Sequence, residues 1–141
     1  MRKKVMKAVF LLLIAATAGT VAMKGFGVTD TEEEKLKDLD FTVLEERNIP
    51  DEFLEVIEEK KTEAFTVSYS NNENTYIAIG YGAQPTGGYS ITVDELYETE
   101  NTIVIETGFI GPSKTEEVSD TETYPYIVVM IEAVDKDVVF N

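Results

Sequence analysis

From residue 64 to the end of the chain the apolar residues recur with a period of two, the spacing of a strand with one buried face. Segments 65–70, 75–81, 88–97, 102–107 and 124–133 are rich in Val, Ile, Thr, Tyr and Phe, and 138–140 forms a last short run. Turn-forming stretches separate them: Asn71-Asn72-Glu73-Asn74, Glu98-Thr99-Glu100-Asn101 and Gly111-Pro112-Ser113. No helical stretch lies between these strands, so no crossover helix is available for a parallel βαβ unit. The expected fold is mainly β (α+β by content): a small antiparallel β-sandwich or open barrel of five or six strands. Tyr89, Ile91 and Val93 alternate with Ser90, Thr92 and Asp94, which predicts a half-buried strand. Residues 127–131 are apolar throughout, which predicts a central strand covered on both faces. Pro125 falls at that strand's start, where its missing donor is tolerated.

One helix precedes the strands. Pro50 suits a first helical turn, because the N–H it lacks would find no partner there. Asp51, Glu52 and Glu55 follow at the positive end of the helix dipole, and Lys60 and Lys61 close the negative end. Phe53, Leu54 and Ile57 share one side at spacings of three and four. The expectation is an amphipathic helix over 50–61 with a core-facing stripe. Residues 41–44 are short and β-leaning.

The first 24 residues differ in kind. Arg2, Lys3, Lys4 and Lys7 open the chain, Ala8 to Ala16 is unbroken apolar sequence, and small or apolar residues follow to Lys24. A basic start, an apolar middle and small residues beyond mark an export signal. Cleavage after Ala18 or Ala22 fits the small-x-small rule. The alternative is an uncleaved anchor, with membrane contact through residues 5–23. Ala8 to Met23 would span about 24 Å as a helix, short of a hydrocarbon core of about 30 Å unless Lys7 and Lys24 snorkel. Both readings place the rest of the chain outside the cytoplasm, secreted or tethered to the outer face of the cytoplasmic membrane. Residues 25–40, polar and without sustained period, read as a flexible spacer, and 41–141 as a single β-rich domain.

Composition narrows the chemistry. The chain of 141 residues has no His, Cys or Trp. That excludes a Ser-His-Asp triad, a cysteine nucleophile, a disulfide, a lipid-bearing cysteine and His- or Cys-ligated metal or haem sites. Residues 1–24 hold 5 of the 12 basic side chains and no acidic one, so 25–141 carries 7 basic against 27 acidic residues, a net charge of −20. Such a surface repels nucleic acid and anionic lipid. Carboxylates are plentiful, but no pair has a glycosidase or aspartic-protease signature, and Asp135 and Asp137 lie outside any EF-hand loop. No catalytic residue, metal site or cofactor is expected, and the chain is read as a non-enzyme.

One loop concentrates unusual residues. Residues 80–89, Gly-Tyr-Gly-Ala-Gln-Pro-Thr-Gly-Gly-Tyr, hold four glycines, one proline and two tyrosines. Pro85 presets a turn, Gly87 and Gly88 permit positive φ or close backbone approach, and the tyrosines anchor the ends. The pattern lacks the lysine and following helix of a phosphate loop. It reads as a stiff projecting finger that binds another polypeptide through Gly82, Gln84, Pro85, Thr86, Gly87, Gly88 and Tyr89, with Tyr124, Pro125 and Tyr126 as flanking contacts.

The same run, residues 81–91, followed by Gly111-Pro112 and then Tyr124-Pro125-Tyr126-Ile127-Val128-Val129, resembles the C-terminal domain family of the protease-complex subunit PrcB. The resemblance covers roughly residues 76–132. It implies an exported, non-enzymatic β-domain accompanying a secreted protease. The named subunit is membrane-attached through a lipid-bearing cysteine, which this chain lacks. More loosely, residues 84–89 resemble the N-P-T-T-G-Y loop of chagasin-type cysteine-protease inhibitors, carried on an immunoglobulin-like sandwich. Gln84 stands in place of the Asn, Gly87 in place of the second Thr, and Tyr124-Pro125-Tyr126 in place of a later R-P-W loop.

The function expected is therefore a protein-interaction domain, an accessory subunit that binds an exported protein, such as a peptidase, through residues 82–89. The alternatives are a chagasin-like peptidase inhibitor and a structural envelope domain with no discrete ligand.

Overall fold

The computed structural model describes residues 33–141. The signal or anchor reading of 1–24 and the first part of the 25–40 spacer lie outside the described residues. Among the described residues, no helix is long and apolar enough to cross a membrane.

The elements run β1 (Lys37–Asp38), β2 (Thr42–Val43), a 3-10 turn (Glu46–Asn48), α1 (Asp51–Lys60), β3 (Ala64–Ser70), β4 (Asn74–Tyr81), β5 (Ser90–Glu98), β6 (Thr102–Ile110), β7 (Tyr126–Glu132) and β8 (Asp137–Phe140). Among the described residues they form two separate four-stranded sheets, β2-β7-β4-β3 and β1-β5-β6-β8, and no closed barrel.

The helix forms where its punctuation places it. Pro50 is the N-cap, and its carbonyl accepts from the N–H groups of Phe53 and Leu54 at 3.0 and 2.9 Å. Lys61 caps the other end through its N–H to the Ile57 carbonyl at 2.9 Å. Phe53, Val56 and Ile57 are buried, and Leu54 packs beside them. They meet Val67, Tyr69, Tyr76, Ala78 and Val128 on one face of the β2-β7-β4-β3 sheet. There the Phe53 ring stacks on Tyr69 at 5.2 Å, and Tyr69 meets Tyr76 at 5.6 Å. The opposite face of that sheet carries Ile77, Ile79, Val129 and Ile131 against Leu96, Ile103, Ile105 and Val138 of the second sheet. Burying each such side chain stabilises by about 1.5–3 kcal/mol. The result is three layers, helix on sheet on sheet. β7 is covered on both faces and lies between β2 and β4, as its unbroken apolar run requires.

Three features differ from the sequence reading. First, the strands are not all antiparallel: β6 and β8 pair in parallel, with Ile103 opposite Val138 and Ile105 opposite Phe140. The crossover between them is β7, a strand in the other sheet. It reverses the chain once, so β8 returns in the direction of β6. Second, eight strands form among the described residues, because the β-leaning stretch 41–44 supplies the two-residue edge β2 to β7 and, unexpected from the sequence, β1 adds another to β5. Third, residues 33–40 lie along the domain as part of it. Leu36 and Leu39 donate their N–H groups to the carbonyls of Glu98 and Leu96 at 2.8 and 3.0 Å.

The sandwich has two poles. One carries the β4–β5 and β6–β7 connections, residues 82–89 and 111–125. The other carries the β3–β4, β5–β6 and β7–β8 turns. At that second pole the Glu33 carboxylate accepts from the Thr99 hydroxyl at 2.5 Å and the Asn101 side-chain amide at 2.6 Å. Lys136 donates there to the Glu98 carboxylate and the Thr99 carbonyl at 2.5 and 2.7 Å.

Candidate functional site

The β4–β5 connection is held at both ends by one aromatic stack. The Phe109 ring lies 4.2 Å from that of Tyr81 at 3° and 5.3 Å from that of Tyr89 at 13°. Each such pair contributes about 0.5–1.5 kcal/mol beyond its buried area. The Tyr81 hydroxyl also bonds the Thr107 hydroxyl at 2.6 Å. Both tyrosines thus anchor the loop, as expected from their positions. Anchoring leaves the Tyr89 ring half-buried against Phe109 and over Gly111 rather than presented outward.

Between its anchors the loop is not a free finger. Gln84 and Thr123 exchange backbone hydrogen bonds in an antiparallel bridge, at 2.8 and 2.9 Å. The Gly87 N–H donates to the Ser119 carbonyl at 3.0 Å, and the Thr123 hydroxyl donates to the Thr86 carbonyl at 2.7 Å. The Gln84 side-chain amide returns to the Tyr81 carbonyl at 3.1 Å, and the Thr86 hydroxyl to the Gly87 carbonyl at 2.9 Å. Residues 82–88 and 119–123 therefore form one two-sided lobe. Gly88 takes positive φ (φ 90) as expected, and the other positive-φ position is Gly82 (φ 80) rather than Gly87. Gly88 is also steric, since a Cβ there would stand 2.5 Å from Val118 Cγ1 and 3.0 Å from Pro112 Cβ.

Of the expected contact residues, Pro85 and Gly88 are exposed, Gln84, Thr86, Gly87 and Tyr89 are half-buried, and Gly82 is buried. Ala83 joins the exposed surface. Tyr124, Pro125 and Tyr126 lie beside the lobe, and the Pro125 carbonyl accepts from the Tyr81 N–H at 3.0 Å. They face the helix end: Lys61 Nζ sits 5.5 Å from the centre of the Tyr124 ring, and the Tyr124 hydroxyl donates to Glu122 at 2.8 Å. That bond to a carboxylate pushes the Tyr124 phenol pKa up. Burial, with the Glu46 and Glu58 carboxylates adding, pushes Tyr126 up against the pull of Lys61. Both shifts favour the neutral phenols, which offer hydrogen bonds and ring surface.

The rim is acidic. Glu116, Glu117, Asp120 and Glu122 are all exposed on the second connection, with Lys114 as its one basic residue. Among the described residues, no group of three or more acidic side chains is arranged to hold a metal ion. Every buried side-chain polar atom among them has a hydrogen-bond partner. A cleft of about 390 Å³ beside Tyr81 opens between β3 and β8; Phe65, Ile79, Ile105 and Phe140 line it together with the polar Thr66, Thr107 and Asn141.

The sequence reading missed Phe109, Ser119 and Thr123. Phe109 was legible: Ile103, Ile105, Thr107 and Phe109 continue a period of two past the expected strand end at 107, and β6 runs to Ile110. Ser119 and Thr123 sit in a polar stretch without periodicity and carry no such signal.

No curated protein and no solved structure matches the chain. A family model does, and it spans β4 through β7 together with the whole lobe. That model is PrcB C-terminal, and it matches residues 75–132, so the segment from β4 to the end of β7 is similar to that family.

Proposed function

We propose that the chain is an exported, non-enzymatic protein-interaction module, an accessory subunit that binds a protease or another envelope protein through the lobe of residues 82–88 and 119–123. The observation that carries this reading is the lobe itself. Two connections of the sandwich are laced together by four interstrand hydrogen bonds and pinned by the Phe109 stack. They present Ala83, Pro85 and Gly88 beside an acidic rim. A preorganised surface of this kind loses little conformational entropy on binding. The family match supports the accessory role, and the basic-apolar start of the chain supports export. The lacing favours docking by a broad face over a loop wedged into a protease cleft, because Thr86 and Gly87 are already bonded to Thr123 and Ser119.

The test is cross-linking and affinity recovery of the tagged full chain from its native envelope. The parent is expected to recover one specific exported protein. Ala83→Arg with Pro85→Arg, two exposed positions, is expected to reduce recovery at least tenfold without lowering Tm. Equal recovery by the double variant removes the lobe from the account.

A further inference from the structure

The edge of β5 next to the lobe is only partly paired. β5 has nine residues, Ser90–Glu98, and β6 pairs along its inner side. On its outer side β1 pairs with Tyr97 and Glu98, and Leu39 adds one bond to the Leu96 carbonyl. Among the described residues, no strand pairs with the outer side of residues 90–95. The segment is solvent-facing: Ser90, Thr92, Asp94 and Glu95 are exposed, and Ile91 and Val93 are half-buried. In a strand, backbone N–H and C=O groups alternate between the two sides, so this stretch offers an unfilled ladder. The chain already uses the same edge for β1, which shows that its geometry accepts an added strand.

Charge selects the occupant. The ladder shifts register between Val93 and Glu95, where Asp94 is the extra residue of a bulge. Asp94 and Glu95 are exposed there, and Lys35 divides itself between Glu95 at 3.5 Å and Asp38 at 3.0 Å. A second copy would bring the same carboxylates edge to edge and be repelled. A strand carrying Lys or Arg is attracted. On the outer face the Thr92 hydroxyl donates to the Asp94 carboxylate at 2.8 Å, and the two side chains lie over Gly108 in the neighbouring strand. Beyond them Ile110 remains 55% exposed.

We propose that the outer edge of residues 90–95 takes up an extended segment of a partner protein, basic-flanked and with β-branched or long apolar residues at its centre, by β-strand addition. This rests on reading the domain as an interaction module but does not depend on the lobe.

The test pans a phage library of random twelve-residue peptides on the full chain, then measures labelled synthetic copies of enriched peptides by fluorescence anisotropy. Enriched peptides are expected to carry Lys or Arg beside Val, Ile or Thr. N-methylation of one alternating set of peptide amides is expected to weaken binding at least tenfold, and of the other set to leave it intact. Asp94→Lys with Glu95→Lys is expected to weaken it similarly, while Pro85→Arg leaves it unchanged. Amides 90–95 are expected to gain hydrogen-exchange protection. Tolerance of both methylation sets, loss of binding in Pro85→Arg, no enrichment, or protection of 90–95 by self-association without peptide would each overturn the proposal.

Discussion

A side chain on Gly88 would collide with Val118: its Cβ would lie 2.5 Å from Val118 Cγ1, in a backbone held at φ 90. Both the conformation and the space exclude other residues. Gly88→Ala is expected to cost about 1–3 kcal/mol, the usual range for a non-glycine residue forced into such backbone. Gly87→Ala faces only ordinary contact, with Ser119 Oγ at 3.7 Å, and is expected to stay within about 0.5 kcal/mol of the parent. Chemical denaturation of the two variants checks the difference. Equal stability of both would show that the lobe relaxes around position 88.

Phe109 joins the lobe to the sandwich by stacking on Tyr81 and Tyr89. Because the ring is half-buried, Phe109→Ala is expected to lower stability by about 2 kcal/mol, against about 3–5 kcal/mol for Phe53→Ala in the fully covered helix core. The distinguishing readout is local. Hydrogen exchange in Phe109→Ala should rise at the Gln84, Gly87 and Thr123 amides, which donate within the lobe, more than in β4 and β7. A uniform rise would mean that the stack supports the domain as a whole and does not specifically hold the lobe.

These two sites show what local pattern could and could not reveal. The helix bounds and the buried character of β7 follow from capping chemistry and apolar runs, both local properties, and each lies where residues 50–61 and 127–131 place it. The faces of β5 follow from alternation: Val93 packs into the intersheet core while Ser90, Thr92 and Asp94 are exposed. The direction of β8 does not follow from its own residues. It depends on β7 sitting in the other sheet, a tertiary choice. Lys37–Asp38 has little strand propensity and is recruited by the edge of β5. The second half of the lobe was equally hidden, because Thr123 gains its role only from Gln84, 39 positions earlier in the chain.

Glu33 fixes the start of the described chain to the β5–β6 turn. Hydrogen bonds from Thr99, then Asn101, lower its carboxyl pKa against a smaller opposing effect of desolvation. A carboxyl whose folded pKa is depressed supplies stability that is fully present above its unfolded pKa and is lost as pH falls through the folded value. Glu98, lowered chiefly by its bond to Lys136, acts in the same direction at the same pole. Acidification below the usual carboxylate range is therefore expected to release β1 first. Exchange at the Leu36 and Leu39 amides, which bond Glu98 and Leu96, reads this directly. Glu33→Gln should exchange faster at both amides at neutral pH and show a flatter pH dependence. An unchanged profile would place the hold on β1 elsewhere.

The acidic rim sets how a lobe-bound partner should respond to salt. Glu116, Glu117, Asp120 and Glu122 are exposed, so their attraction to a cationic surface is screened over a Debye length of about 8–10 Å near physiological ionic strength. Exposed charges of this kind act on the encounter rate more than on the lifetime of a complex. Replacing the four by Gln and Asn is expected to slow association about tenfold at low salt, to change dissociation less than threefold, and to remove most of the salt dependence. The Ala83→Arg with Pro85→Arg variant, which alters the contact surface itself, should instead speed dissociation. Surface plasmon resonance with the recovered partner, run from about 20 to 500 mM salt, separates the two rates. A parent whose association is independent of salt would mean that the rim faces away from the partner, and the lobe would then have to bind through its Pro85 side.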